Sequence, residues 1–467
     1  MAPTRDDDVV RLGSEVIGGP LGRHARTDSH RWWTPMRVML VMVFVVSGLG
    51  IVSKEHCRAD GWTAPGQYTH GCYSDIPPLY FDRGLADGDV PYIGQAPDKQ
   101  VEYPVLTGLA MWVTAKFVPS GDDAVNRARW YFDINAIALA LCAAVAVAAT
   151  VLTNRRRPWD AALFAAAPML ALTATINWDL YAVALLSLAL LAWSRERSLA
   201  AGVLIGLGAA AKLYPLFVLG PLLVLCLRAG KMRAFYVALT GAVVAWLAVN
   251  LPVILADFNG WAHFYVLSRE RGAGFSSIWF VLSQQGHGIP DAHLNIVAGG
   301  LFLLACAAIA WLAWRAPRRP RLPQLALLVV AAFLLTNKVY SPQYVLWLIP
   351  LAALARPRWR DLLIWQAGEA IHFVGIWMLI AGYPPGDPNR ALGNDGYDVT
   401  VLAHIAGTLW LVAMVVRDIL RPEHDPVRLD GSDDPAGGVL DHAPDRLPLA
   451  ESTTFSMRAD PLPGVQA

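Results

Sequence analysis

Long apolar stretches, separated by short polar connectors, fill most of the chain between residues 36 and 420. A helix of about 20 apolar residues crosses a bilayer, so this pattern predicts a series of membrane spans. We predict twelve spans, with both termini on the same side. They are 36–53, 129–153, 159–176, 179–193, 198–211, 214–228, 234–255, 296–314, 324–336, 344–355, 361–381 and 399–420.

Five of the predicted spans, those that begin at residues 179, 198, 214, 324 and 344, are shorter than a bilayer crossing requires. Two explanations stay open. The ends of these spans are misassigned, or their outer tips sink below the membrane surface and line a cavity, where irregular backbone is tolerated.

The connectors between the spans fall into two alternating classes. The basic class is 154–159, 194–198, 228–233, 314–323 and 355–360. The polar class is 177–179, 211–215, 256–295, 337–344 and 383–398. The basic class contains 15 Lys and Arg residues and the polar class 5. The positive-inside bias therefore places the basic connectors in the cytoplasm.

The N-terminal head, 1–35, contains five arginines and precedes the first span, which indicates an uncleaved signal anchor with its N terminus in the cytoplasm. Residues 54–128 then form one large extracytoplasmic loop, provided that the short apolar stretch 104–118 does not cross. A crossing would move the arginines of connector 154–159 outside, so we predict that 104–118 is a helix on the outer surface.

The C-terminal tail, 421–467, is rich in Pro, Asp and Gly and is predicted to be disordered and cytoplasmic.

Composition supports the same class of protein. Of 467 residues, 55% are hydrophobic and 16% charged, with a mean hydropathy of +0.40. These values exclude a soluble enzyme and require far more than one anchor helix. The predicted fold class is an all-α polytopic membrane protein, a bundle of about twelve transmembrane helices whose first outer loop carries surface helices.

Two cysteines lie outside the predicted spans, Cys57 and Cys72, and both are in the first outer loop. A disulfide between them is permitted on the oxidising side of the membrane, and two unpaired thiols are the alternative. Closing a loop of about 15 residues contributes roughly 3 kcal/mol in the chain-entropy model.

Polar and ionisable side chains gather at the predicted outer ends of the spans. They are Asp75, Arg83, Glu102, Asn177, Asp179, Lys212, Tyr214, Arg269, Arg271, Asn337, Lys338, Tyr340, Gln343 and Tyr344. Any one of them is more often an ordinary interfacial anchor. As a set they indicate a site, and a lysine in a tight apolar turn, such as Lys212 in AAAKLYP, is well placed to bind an anion at headgroup depth.

Motifs of soluble enzymes are absent from the sequence, including the dinucleotide-binding, P-loop and zinc-protease signatures. Asp87 and Asp89 spell a D-x-D motif, which is weak evidence because so short a match arises by chance in an Asp-rich loop. No cofactor and no metal site are predicted, although a divalent metal ion is left open.

The chain resembles glycosyltransferase family 87 of the GT-C superfamily. The resemblance rests on CYSDIPPLY, DGDVPY and VEYPVLTGLAMW in the first loop, and on PWDAALFAAAP, TINWDLYAVAL, GLGAAAKLYPLFVL and NKVYSPQYVLWLIPL further on. It runs from about residue 36 to 420, and residues 256–295 show nothing diagnostic. Members are bacterial integral-membrane enzymes that transfer a sugar, typically mannose, from a polyprenyl phosphate.

The resemblance implies a catalytic carboxylate in the first outer loop, with Asp75 as the first candidate and Glu102 as the second. It also implies cations for the donor phosphate, and the candidates are Lys212, Lys338, Arg83 and Arg269. The remaining polar residues would line the substrate cavity: Asn177, Asp179, Tyr214, Asn337, Tyr340, Gln343 and Tyr344. The expected partners are a polyprenyl-phosphate sugar donor, an envelope glycolipid or glycan acceptor and membrane lipid, with no nucleic acid.

Two points have alternatives. Glu369 and His372 share a face of one predicted span, where they are either a proton relay or a polar lock between helices. For the whole chain, a transporter or lipid-linked-sugar flippase is the main alternative, and a non-catalytic scaffold is a distant third. A transporter should show repeat symmetry and a binding site near the midplane, whereas these polar residues lie at one side.

Overall fold

The structure is a computed structural model that describes residues 7–19, 31–384 and 386–445. Every regular element in these ranges is a helix, so the prediction of an all-α chain is confirmed there. Parts of both predicted tails, residues 1–6, 20–30 and 446–467, lie outside the described residues.

Six helices in the described ranges are long and apolar enough to cross a membrane. They are Pro35–Val52, Ala124–Thr153, Met232–Ala256, Asp291–Arg315, Trp359–Ile380 and Asn394–Leu420. Six shorter apolar helical stretches accompany them: Val105–Ala115, Leu180–Ser194, Ser198–Ala211, Tyr214–Ala229, Leu322–Thr336 and Pro342–Ala355. The count of twelve crossings therefore stays a prediction.

The predicted span 159–176 is not one helix. It consists of a 3-10 turn, Pro158–Ala161, and two short helices, Ala162–Ala165 and Pro168–Thr173. Ala167 is extended, with ψ of 124°, because a residue before proline is sterically pushed out of the helical region.

The remaining α-helices of the described residues belong to loops and to the N-terminal head. They are Asp8–Gly18, Glu55–Asp60, Gly66–Thr69, Ile76–Asp82, Phe258–Glu270 and Ile278–Gln284. Asp7 caps the first of them, and its second carboxylate oxygen accepts a hydrogen bond from the backbone N–H of Trp359 at 2.9 Å. The helical part of the head therefore packs on the start of the helix Trp359–Ile380.

Helices adjacent in sequence pack as antiparallel pairs, such as Leu180–Ser194 with Ser198–Ala211. The helix Ser198–Ala211 also packs closely on Met232–Ala256. A Cβ on Gly202 or Gly206 would overlap a backbone carbonyl of that neighbour. This small-xxx-small spacing is the arrangement by which membrane helices approach each other without a hydrophobic driving force.

The first loop is folded against the ends of the helices. Cys57 and Cys72 form a disulfide, with Cα atoms 5.8 Å apart. The buried Lys54 ammonium donates hydrogen bonds to the carbonyl oxygens of Gly71 and Tyr73 at 3.4 and 3.1 Å. Burial lowers the pKa of Lys54 to about 7. The disulfide and Lys54 together fix the backbone just before Asp75.

The stretch 104–118 contains a helix, Val105–Ala115, and its position on the outer membrane surface stays a prediction. The 11 residues of this helix extend for about 16 Å, roughly half the thickness of the hydrocarbon core. Thr107 donates a hydrogen bond to the carbonyl oxygen of Ala211 at 2.7 Å, and Tyr131 donates one to that of Met111 at 3.1 Å. The helix is thus wedged between neighbouring helix ends and is too short to cross alone.

Residues 422–445 differ from the expectation that the whole tail is disordered. This stretch, here called the tail segment, is packed against the basic connectors. Asp425 binds Arg321 at 2.7 Å, Asp445 binds Arg228 at 2.8 Å, and both partners of the first pair are buried. The low hydrophobicity that predicted disorder is offset here by ion pairs to arginines that the rest of the fold supplies.

All five basic connectors meet the tail segment, either directly or through the residue next to them. The contacts come from Arg156, Trp193, Arg228, Arg319, Arg321 and Arg356. We call this assembled surface the basic face. Because these connectors come from helices of alternating direction, the described chain has one basic end.

Candidate active site

Asp75 lies where the first loop joins the connector before the helix Leu180–Ser194. Its backbone N–H donates a hydrogen bond to the carbonyl oxygen of Ile176 at 2.7 Å. The hydroxyl of Ser74 donates one to the carbonyl of Thr175 at 2.7 Å and accepts one from the N–H of Ile76. The backbone at Asp75 is therefore anchored to the helix bundle.

The carboxylate of Asp75 accepts two tyrosine hydroxyls. Tyr73 donates to Oδ1 at 2.5 Å and Tyr103 to Oδ2 at 3.3 Å. Asp75 precedes the helix Ile76–Asp82, but its side chain accepts no backbone N–H from that helix. The Asp75 carboxylate therefore does not cap this helix, and Ser74 supplies the hydrogen bond instead.

The protonation of Asp75 is tuned by its surroundings. Burial raises its pKa to about 6, which the Tyr73 hydrogen bond partly opposes. The negative charge of Glu102 contributes to this rise, while Lys212 and the Tyr103 hydroxyl oppose it. The pKa of Tyr103 is raised, chiefly by burial, so this tyrosine stays a hydrogen-bond donor at neutral pH. A carboxyl group with such a pKa is suited to accept a proton near neutrality.

Lys212 and Asp179 form a buried ion pair, with Lys212 Nζ 2.8 Å from Asp179 Oδ1 and side-chain exposures of 13% and 1%. Trp347 Nε1 donates to the other oxygen of Asp179 at 2.8 Å. Asp179 precedes the helix Leu180–Ser194, and Lys212 follows Ser198–Ala211. Each charge thus lies at the helix end whose dipole favours it.

Aromatic rings surround the Lys212 ammonium. It lies 5.1 Å from the ring centre of Tyr103, 5.3 Å from Tyr344 and 5.9 Å from Trp347. Trp347 stacks between Tyr344, at 4.1 Å, and Tyr214, at 4.4 Å. Such a cage supports a cation. Tyr103 faces Lys212 with its ring and Asp75 with its hydroxyl, so it joins the two charged groups into one site.

Asn177 belongs to the same site. Its side-chain N–H donates to the Tyr103 hydroxyl at 3.5 Å, and its oxygen accepts the backbone N–H of Asp179 at 3.0 Å. The described fold therefore brings together six predicted residues: Asp75, Asn177, Asp179, Lys212, Tyr214 and Tyr344.

Glu102 and Arg83 pair with each other and not with these residues. Arg83 Nη2 lies 2.5 Å from Glu102 Oε2, and Arg83 Nη1 donates to the carbonyl of Asp98 at 2.9 Å. Asp87 and Asp89 of the D-x-D motif are ion-paired with Lys99, at 3.1 and 3.8 Å. A cation already occupies the position that a metal ion would need in that motif.

Lys338 contacts backbone. Its ammonium donates to the carbonyl oxygen of Arg269 at 2.9 Å and to that of Arg271. Asn337 turns to the carbonyl of Val339 at 2.7 Å. The side chains of Arg269 and Arg271 are exposed, and the charge of Arg271 lies close enough to Tyr344 to act on its hydroxyl.

Tyr340 belongs to a buried polar cluster around Glu369. Its hydroxyl donates to Glu369 Oε2 at 2.7 Å, and Trp365 and Thr408 donate to Oε1 at 3.1 and 3.2 Å. Glu369 thus links three segments of chain, which favours the polar lock. His372 packs on the His404 ring at 4.5 Å. Gln343 is buried, and its oxygen has no partner in the described chain.

Three residues of the site are missing from the set selected by sequence: Tyr73, Tyr103 and Trp347. Signals for them exist. Tyr73 is two residues before Asp75, Tyr103 is adjacent to Glu102, and Trp347 is three residues after Tyr344, on the same face of a helix. Aromatic residues are so common in membrane helices and at their ends that these positions alone indicate no role.

A possible metal-binding group of carboxylates and imidazole in the described chain is Asp433, Asp441 and His442. It lies in the tail segment, and Asp433 is already paired with Arg318 at 2.9 Å and Arg319 at 3.4 Å. These arginines compete with a cation for that carboxylate, and the group is remote in sequence from every residue of the candidate site.

The long apolar helices and the charged site at one set of helix ends define the class: a multi-pass, all-α membrane protein with a polar site built partly by its first loop. The model of glycosyltransferase family 87 matches residues 102–337, about half of the chain, and the chain belongs to this family. It is therefore a membrane glycosyltransferase. The match includes Lys212 and Asp179 but begins after Asp75. A comparison with curated proteins finds no match.

Proposed function

We propose that this glycosyltransferase transfers a hexose, with mannose as the first candidate, from a polyprenyl-phosphate sugar to an envelope glycolipid or glycan. One observation carries the proposal. The Asp75 carboxylate and the Lys212 ammonium share Tyr103, whose hydroxyl donates to the carboxylate while its ring face lies against the ammonium. A base and a cation that contact the same tyrosine suit a reaction in which a hydroxyl loses a proton while a phosphate leaves.

In this mechanism Asp75 is the general base. The acceptor hydroxyl passes its proton to the carboxylate as its oxygen bonds to the anomeric carbon, and the bond from that carbon to the phosphate oxygen breaks. The leaving lipid phosphate is already anionic, so it needs cations and no general acid. A single displacement of this kind inverts the anomeric carbon. Glu102 is the weaker candidate because Arg83 neutralises it.

Lys212 is the first candidate for the phosphate contact. Two of its three N–H groups are free to bind an anion, because Asp179 occupies one. Arg271 is a further candidate, since its exposed side chain makes no ion pair within the described ranges and its charge acts on Tyr344. Lys338 would then orient Arg271 by holding its carbonyl. Arg269 stays a candidate, and Arg83 is occupied by Glu102.

The same proposal places the two ends of the chain on the two sides of a bacterial plasma membrane. The positive-inside bias puts the basic face in the cytoplasm with both termini. Asp75 and Lys212 are then extracytoplasmic, where a lipid-linked sugar rather than a nucleotide sugar is the available donor. The oxidising side also suits the disulfide of Cys57 and Cys72.

The test is a transfer assay with the purified full chain, polyprenyl-phosphate mannose and a panel of envelope glycolipids. We expect mannose on an acceptor with inverted configuration, and none when a nucleotide-linked mannose replaces the lipid donor. The Asp75→Asn variant is the matched control for contaminating activity. Movement of the donor across proteoliposome membranes without transfer would support the flippase alternative and refute the proposal.

A further inference from the structure

Two crevices lie on the basic face, remote from Asp75. The first, of about 670 Å³, is lined by Arg197, Lys231 and Arg233, and by Val439 of the tail segment. Lys212 lies beyond the other end of the helix Ser198–Ala211, which has 14 residues and is therefore about 21 Å long. This crevice is thus separate from the candidate active site.

The three cations of the first crevice are exposed and have no ion pair among the residues that the structure describes. Glu196 is the one acidic residue in the lining. Two helices, Ser198–Ala211 and Met232–Ala256, begin at this crevice, and no side chain caps either N terminus. Uncapped backbone N–H groups and the positive ends of two helix dipoles add to the attraction for an anion.

The second crevice, of about 550 Å³, continues the first along one helix. It is lined by Arg233, Tyr236, Val237 and Thr240, which recur at helical spacing on one face, and by Leu199. Tyr236 and Leu199 are more than half exposed. Arg233 and Val237 line both crevices. The cationic first crevice therefore leads into a largely apolar groove that runs from the connectors along the first turns of the helix Met232–Ala256.

The tail segment forms one wall of the first crevice. Trp193 Nε1 donates to the carbonyl oxygen of Gly437 at 2.7 Å. Gly438, at φ +56°, lies so close to the Trp193 carbonyl that a Cβ would overlap it. Val439 is held against the crevice by these two contacts.

We propose that the basic face binds an anionic phospholipid, with its phosphate among Arg197, Lys231 and Arg233 and an acyl chain along Tyr236 and Val237. Charge complementarity selects this occupant. Unpaired basic residues attract an anionic headgroup. The exposed apolar groove that adjoins them fits a hydrocarbon chain, whereas a soluble anion has no apolar part to bury there. The site is independent of the transfer reaction.

The test is a lipid titration of the delipidated full chain, followed by native mass spectrometry. The probes are phosphatidylglycerol, phosphatidylcholine with the same acyl chains, glycerol 3-phosphate and polyprenyl phosphate. We expect one tightly retained phosphatidylglycerol, weaker phosphatidylcholine and no competition by glycerol 3-phosphate. Equal retention of the two phospholipids, or displacement of the bound phosphatidylglycerol by polyprenyl phosphate, would overturn the proposal.

Two variants separate charge from shape. Arg197→Gln with Arg233→Gln should weaken phosphatidylglycerol binding about thirtyfold, and Val237→Trp should weaken it by obstructing the groove with no change in charge. The control is Arg155→Gln with Arg315→Gln, which removes two exposed charges from the same face outside both crevices. Equal weakening by the control, or none by the first pair, would show that no defined site exists.

Discussion

At the scale of single residues, two tyrosine hydroxyls determine the orientation of the Asp75 carboxylate. Tyr73 is local in sequence, whereas Tyr103 is 28 residues away and arrives through the fold of the first loop. Both oxygens accept a hydrogen bond, so each keeps a further lone pair for an acceptor hydroxyl. The partial exposure of Asp75 leaves room for that hydroxyl.

Replacing Asp75 with Asn should reduce turnover by a factor on the order of 10² to 10⁴, because the amide keeps the shape but cannot accept a proton. Donor binding should persist, since the phosphate contacts are elsewhere. Turnover and donor affinity are measured separately under single-turnover conditions. Glu102→Gln is the control and should retain most activity. The opposite pattern, with Glu102→Gln inactive and Asp75→Asn active, would identify Glu102 as the base.

The pH dependence of transfer should report the same carboxylate. Asp75 works as a base only when deprotonated, so kcat/KM should fall as the pH drops through about 6. Tyr103→Phe removes a hydrogen bond that lowers this pKa and should move the inflection to higher pH. Glu102→Gln removes a charge that raises it and should move the inflection to lower pH. Identical pH profiles for all three proteins would exclude Asp75 as the titrating group.

At the scale of elements, helix ends assemble the site. Asp179 and Lys212 lie at the open end of the hairpin formed by the two antiparallel helices Leu180–Ser194 and Ser198–Ala211, so the hairpin itself brings them together. The sequence predicts that these two residues lie at the same end of the hairpin, because the apolar stretches and the connector charges indicate the helices and their direction. The contact between Tyr103 and Asp75 is not predictable in this way, because an irregular loop has no periodicity that sets which residues meet.

Lys212→Met should lower both activity and stability. The variant leaves the Asp179 carboxylate buried and without its ion-pair partner, which lowers the free energy of unfolding by about 3–5 kcal/mol. Lys212→Met with Asp179→Asn removes both charges and should recover much of the stability but little donor affinity. Thermal unfolding and donor binding are measured for both. Recovery of donor affinity in the double variant would remove Lys212 from the phosphate contact.

At the scale of the whole molecule, the chain has two distinct ends. One carries Asp75, Lys212 and the disulfide, and the other carries the basic face with the tail segment bound to it. The tail segment shows why composition alone does not predict which residues are ordered. Its Asp content predicts disorder, yet Asp425 lies against Arg321 with both side chains fully buried. The arginines that predict a cytoplasmic side also recruit this part of the tail.

Single introduced cysteines should distinguish the two ends in intact cells. Asp122 and Arg155 are exposed and lie just beyond either end of the helix Ala124–Thr153, whose 30 residues extend for about 45 Å and exceed the bilayer core. We expect Asp122→Cys to react with an impermeant thiol reagent from outside and Arg155→Cys only after permeabilisation.

Leu429→Cys, 53% exposed in the tail segment, should be labelled like Arg155→Cys, only after permeabilisation, because both belong to the basic face. The parent chain measures the background of Cys142, Cys226 and Cys306. Labelling of Asp122→Cys and Arg155→Cys from the same side would refute the crossing of this helix, and labelling of Leu429→Cys from outside would refute a cytoplasmic basic face.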